Sequence, residues 1–156
     1  MKPKLKKLMF GTRKSNIIVL MVGAVLYFVF PKYVVATHSM EPTIPAGSLV
    51  IALRSFFVVG EIENEDIIVF KPVEGISEYP WVHRVKATQG EVFVPFERGG
   101  RKNTDKSFEL MVTNEGIMIP EGYVYQSGDS NKSYHGLANC DLISSKVLFS
   151  FKLPWK

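Results

Sequence analysis

The chain has 156 residues, room for one domain plus an anchor, and 46 % of them are apolar, enough to bury a real core. The net charge of +4 comes from residues 1–16, where Lys2, Lys4, Lys6, Lys7, Arg13 and Lys14 stand without an acid. The remainder carries thirteen basic against fifteen acidic residues, a balance of −2, so the alkaline pI reports a basic tail and gives no support to nucleic-acid binding. Cys140 is the single cysteine, which rules out an intrachain disulfide, a redox pair and a cysteine-rich metal site; no cofactor and no metal are expected.

After the basic tail, Ile17–Phe30 is a charge-free apolar run. As a helix it would be about 21 Å long, short of a hydrocarbon core of about 30 Å, so the expected span continues through Lys32 and Tyr33 to Ala36. The expected organisation is a cytoplasmic tail over 1–16, a single transmembrane anchor over 17–36 and an extracytoplasmic domain over 37–156. The basic flank sets the orientation, with the N-terminus in the cytoplasm. A cleavable signal peptide competes, since Val34 and Ala36 stand at −3 and −1 of a cut before Thr37; a retained anchor is the preferred reading. In either case the body of the protein lies outside the cytoplasm, next to the bilayer of the cell membrane.

The segment 37–47, Thr-His-Ser-Met-Glu-Pro-Thr-Ile-Pro-Ala-Gly, follows at once. Pro42 and Pro45 remove backbone donors and fix φ, giving a stiff non-helical stretch that can hold the Ser39 hydroxyl in one place. An ordinary turn into the next strand is the plainer alternative. Beyond it, short β-prone runs recur at roughly ten-residue spacing. They are Leu49–Leu53, Phe56–Val59, Glu65–Pro72, Trp81–Thr88, Glu91–Phe96, Phe108–Thr113, Ile117–Gly122, Tyr123–Tyr125 and a closing strand Lys146–Leu153. Val73–Pro80 and Glu97–Ser107 read as loops, the latter with a turn at Gly99-Gly100. With no strong amphipathic helix, the expected fold is all-β: a compact, curled, barrel-like sheet preceded by one transmembrane helix.

A serine hydroxyl is a weak nucleophile and needs a base within hydrogen-bond reach. His38 is adjacent to Ser39, but neighbours in extended backbone point to opposite faces. His83 shares a strand face with Val85, while Arg84 and Lys86 share the other. His135 falls in a polar turn. Each histidine has an ordinary structural reading, and Lys86 is a further candidate base.

Four ordered boxes resolve the ambiguity through a resemblance. Ser39-Met40-Glu41-Pro42-Thr43, then Glu65–Phe70 (Glu-Asp-Ile-Ile-Val-Phe), then His83-Arg84 with Gly90-Glu91, then Pro120–Tyr125 with Gly128-Asp129-Ser130 follow the order and spacing of the type I signal peptidases. These are membrane-bound serine proteases that remove signal peptides after small residues at −1 and −3. The resemblance implies Ser39 as nucleophile and His83 as general base, a position held by lysine in most bacterial members. It implies an oxyanion hole from the Ser39 N–H and the Thr37 hydroxyl, with Ser133 and Asp129 orienting the base. It also implies a substrate-lining edge at Ile67, Ile68, Val69 and Phe70, to which a signal-peptide-bearing preprotein would add as a strand. An imidazole starts near pKa 6.5, so the pH–rate curve is expected to rise at about pH 6–7.

The last box departs from the family pattern. Ser133-Tyr134-His135-Gly136-Leu137 stands where Ser-x-Asp-Ser-Arg is usual, so the acid–arginine pair is missing and His135 takes the acid's place. The short chain and altered box also resemble the pilin-maturing peptidases of conjugation systems. A non-catalytic, membrane-anchored β domain of a secretion or pilus assembly is the alternative. A soluble self-cleaving repressor-like serine protease is disfavoured by the apolar segment.

Overall fold

A computed structural model describes residues 13–58, 62–72, 77–94, 112–113 and 116–154. The apolar run forms helix α1, Arg13–Val29. It stops there because Pro31 cannot donate into a helix and disfavours helical geometry at Phe30. Its apolar side chains are exposed on successive positions, from Ile17 at 57 % to Leu20 at 72 %, so they point to every side of the helix. Among the described residues no helix is long and apolar enough to cross a membrane.

Here the expected span ending at Ala36 is corrected. Lys32–Val34 is strand β1, paired antiparallel with β2 (Leu49–Arg54), and Val35 is buried in the core. The alternation of Tyr33 and Val35 against Lys32 and Val34 has a period of two, and the sheet takes it.

The remaining strands are β3 (Ile67–Phe70), β4 (Trp81–Ala87), β5 (Val92–Phe93), β6 (Val112–Thr113), β7 (Gly116–Met118), β8 (Tyr123–Ser127), β9 (His135–Asn139) and β10 (Ile143–Phe151). Seven build one antiparallel sheet in the order β1-β2-β10-β3-β4-β8-β9, and β5-β7-β6 form a small second sheet. The all-β expectation holds. Phe56–Val59, expected as a strand, begins instead as a 3-10 turn over Ser55–Phe57, and His135, expected in a polar turn, opens strand β9. The Gly99-Gly100 turn lies outside the described residues.

The large sheet curls. In a flat sheet with strands about 4.8 Å apart, β1 and β4 would be separated by about 19 Å. Yet Tyr33 and Val35 belong to one apolar cluster with Val82 of β4, and the Tyr33 hydroxyl reaches Ser145 Oγ on β10 at 3.2 Å. That curl brings the segment after β1 over the first residues of β4.

Candidate active site

Met40 and Ile44 set the position of the Ser39 turn. Both are fully buried in the cluster with Val35 and Val50, so the neighbouring Ser39 is turned outward. The turn is held from the other side by the loop 128–134. Ser130 N–H donates to the Ser39 carbonyl at 2.9 Å, and Ser133 N–H donates to the Ser130 carbonyl at 3.0 Å. Gly128 makes this approach possible. A Cβ there would lie 2.0 Å from Ser133 Oγ and 2.4 Å from the Ser39 carbonyl oxygen, distances no side chain tolerates.

Ser39, His83 and Ser133 all line one cleft of about 660 Å³, with Val34–Thr37 forming one wall and Tyr79–Val82 another. His83 is 2 % exposed, on the inward face of β4 with Val85 and Ala87, as strand alternation requires. Its Nε2 is 3.3 Å from Ser133 Oγ, and its Nδ1 is 2.5 Å from Gln126 Oε1 on β8. The rings of Phe70 and Trp81 pack beside it, with centroids 5.9 and 5.4 Å away. Burial among these rings lowers the imidazole pKa to about 4, against the opposing pull of the Gln126 hydrogen bond and the Asp129 charge. The ring is therefore neutral across the physiological range, its pKa well below the ordinary histidine range from which an acid limb at pH 6–7 was expected.

The Ser39 hydroxyl is hydrogen-bonded to Thr37 Oγ1 at 3.2 Å, not to the imidazole. Thr37 thus sits beside the serine, where the resemblance put an oxyanion donor. His38 is 77 % exposed, with Nδ1 2.8 Å from Glu41 Oε1. Lys86 lies on the opposite face of β4, its ammonium donating to Glu65 Oε1 at 2.9 Å.

Two expectations for the surrounding residues are corrected. Asp129, assigned to orient the base, is instead held by Arg84 through two charge-assisted bonds, Nε to Oδ1 at 2.9 Å and Nη2 to Oδ2 at 2.7 Å. Burial pushes the Asp129 carboxyl up, but hydrogen bonds from Arg84 and Thr43 outweigh it and hold the group below the ordinary carboxylate range. An acid–arginine pair is therefore present after all, tying β4 to the loop that carries Ser133. The arginine is on the outward face of β4, one residue from the histidine. His135 is buried, with Nδ1 2.6 Å from the Tyr125 hydroxyl, and lies outside the cleft wall.

The proposed substrate edge is the second correction. β3 is flanked by β10 on one side and β4 on the other, so its main chain is already paired. Ile68, Val69 and Phe70 are buried, Ile67 is half-buried, and of the four only Val69 touches the cleft. The sheet ends at β1. The carbonyls of Pro31 and Val35 and the Val35 N–H bond toward Ala52, Gly47 and Ser48, which leaves the main-chain groups of Val34 and Ala36 directed away from β2.

Gln126 was missed. Its side chain is fully buried, and a glutamine in a strand carries no motif; only the pairing of β4 with β8 brings it beside His83.

A search of curated proteins finds no match. The sequence does match the family model described as signal peptidase, peptidase S26, over residues 12–94, a stretch that takes in α1, the Ser39 turn and β4. With more than half of its length matched and its buried histidine facing the same cleft as Ser39, the chain belongs to the signal peptidase, peptidase S26, family, whose members are serine peptidases.

Proposed function

We propose that this chain is a membrane-anchored endopeptidase that removes N-terminal signal peptides from exported preproteins, with Ser39 as nucleophile and His83 as general base. The observation that carries this reading is the meeting of Ser39, His83 and Ser133 in one cleft around a buried, neutral imidazole. In the acylation step the Ser39 Oγ–H proton passes to His83 Nε2 as Oγ bonds the scissile carbonyl carbon. The Ser39 N–H and the Thr37 hydroxyl stabilise the oxyanion that develops. The imidazolium then returns the proton to the leaving amine as the C–N bond breaks, and water, deprotonated by the same Nε2, releases the acyl group.

The preprotein would add as a strand to the open edge at Val34 and Ala36, where main-chain hydrogen bonds supply affinity and the cleft selects small side chains at −1 and −3. α1, apolar on every side, would be seated in the bilayer, with its basic flank in the cytoplasm. Ser39 is ten residues past the end of that helix, so the cut would fall close to the outer face.

The test is to replace Ser39 by Ala and compare the N-termini of exported proteins with and without active enzyme. Precursors that accumulate only in the Ser39→Ala strain support the peptidase. Unchanged N-termini would leave a non-catalytic β domain of a secretion or pilus assembly as the reading, and loss of processing confined to a pilin would narrow the substrate class to that subunit.

A further inference from the structure

We propose that Gln126 is the positioning residue of the base: its side-chain carbonyl fixes the proton on His83 Nδ1 and so leaves the Nε2 lone pair facing Ser133 and the cleft. This rests on the peptidase reading above, and it assigns to a neutral amide the place that a carboxylate holds in a Ser-His-Asp triad.

An amide presents either its oxygen or its nitrogen to a neighbour, and the chemistry required of Nε2 separates the two. With Oε1 toward the ring, as found, Nδ1–H donates to it and Nε2 is left as the acceptor, with Ser133 Oγ 3.3 Å from Nε2 and also 3.3 Å from the Tyr134 carbonyl. With the amide reversed, its NH₂ would donate to Nδ1 and force the proton onto Nε2, and a protonated Nε2 accepts nothing from Ser39. Only the first orientation also accommodates the imidazolium formed during acylation, which must donate from both nitrogens at once. Nδ1–H then stays on Gln126 while the Ser39 proton sits on Nε2.

The other end of the amide has no such partner. Gln126 Nε2 is buried without a hydrogen-bond partner, one of two such side-chain atoms among the described residues. A buried unpaired amide is unfavourable, and such exceptions call for a functional reason. Here the one side-chain hydrogen bond that Gln126 makes is the one to the histidine.

The groups facing His83 are few. Phe70 of β3 and Trp81 on its own strand are apolar walls, Gln126 and Ser133 are neutral, and the nearby Asp129 is paired with Arg84. Lys132 lines the cleft beside Ser133. Among the described residues no carboxylate is hydrogen-bonded to the ring, so the tautomer is set without placing a charge against it.

The experiment uses the full chain in lipid or mild detergent. In the Ser39→Ala protein, nitrogen-15 NMR of His83 reads the tautomer and the pKa with no need for activity. The Nδ1–H form is expected, converting to an equilibrium or to the Nε2–H form in Ser39→Ala/Gln126→Met. On a preprotein substrate, Gln126→Met should lower kcat by about 10²–10⁴-fold with KM unchanged, the range for a base in the wrong tautomer. Gln126→Glu should restore kcat while moving the acid limb of the rate curve up by at least about one pH unit, because a carboxylate would then face the imidazolium. An Nε2–H tautomer in the Ser39→Ala protein would overturn the proposal. So would kcat within about threefold of wild type in Gln126→Met. If the chain cleaves no preprotein at all, the peptidase reading fails, while the NMR tautomer still decides the role of Gln126.

Discussion

Acidification from pH 7 to pH 4 should cost the folded protein about 3 kcal/mol through His83 alone. In the folded chain, burial keeps the imidazole neutral down to about pH 4. In the unfolded chain it is an ordinary histidine that protonates at about pH 6.5. Between those values the unfolded state binds a proton that the folded state does not, so the His83 contribution is intact above about pH 6.5 and is lost as the pH falls toward 4. Below that, both states carry the proton and nothing more is lost. The gap of about 2.5 pH units, at ~1.36 kcal/mol each, gives the stated figure, a large share of a typical total of about 5–15 kcal/mol. Carboxylates titrate in the same range, so the assay is a difference. Urea unfolding in one detergent at pH 7, 5.5 and 4 is compared for wild type and His83→Met, which cannot titrate at this position. The wild type should lose about 3 kcal/mol more than the variant over that interval. Parallel pH dependences in the two proteins would mean that the ring is solvated and charges normally, and the reasoning from burial would be refuted.

The same burial sets the acid limb of the pH–rate curve: kcat/KM should hold from neutrality down to about pH 5 and fall near pH 4, as a stopped assay across that range would read. Gly128→Ala should abolish cleavage, because its Cβ would collide with both Ser133 and the Ser39 carbonyl; a shift by overpacking costs about 1–3 kcal/mol, so the variant should still fold by circular dichroism while losing activity. The bond between Ala36 and Thr37 should stay intact, since Val35 is buried and its main chain is tied to Gly47 and Ser48; N-terminal sequencing that finds chains starting at Thr37 would contradict this.

What the sequence makes legible is local order. Ser39, His83 and Ser133 are recognisable because each sits in a short string whose neighbours have fixed jobs: Met40 buried under the serine, Arg84 on the far face from the histidine, Gly128 giving the serine loop its close approach. Pairing across the sheet is not legible in this way. Ile67–Phe70 reads as an edge until the C-terminal strand β10 inserts between β2 and β3, a contact made over some seventy-five residues of chain. Gln126 has no neighbour that announces it, and its role appears only when β8 lies beside β4. Asp129 was misplaced for the same reason: a strand places Arg84 and His83 on opposite faces, and the loop after β8 approaches from the arginine's side. The end of the apolar segment was overrun because hydropathy counts Tyr33 and Val35 alike in a membrane helix and in a buried strand, while Pro31 alone marks the boundary.

The most direct test compares the two candidate bases on one strand, His83 and Lys86. Full-length wild type, His83→Ala and Lys86→Ala are reconstituted in lipid vesicles with a preprotein bearing a signal peptide, and product is followed by gel at pH 7. The buried imidazole at the cleft predicts that His83→Ala loses about 10²–10⁴-fold in rate, while Lys86→Ala, which removes only a partly buried partner of Glu65 on the opposite strand face, retains most of it. A dead Lys86→Ala beside an active His83→Ala would contradict the assignment and make this protein a serine–lysine enzyme.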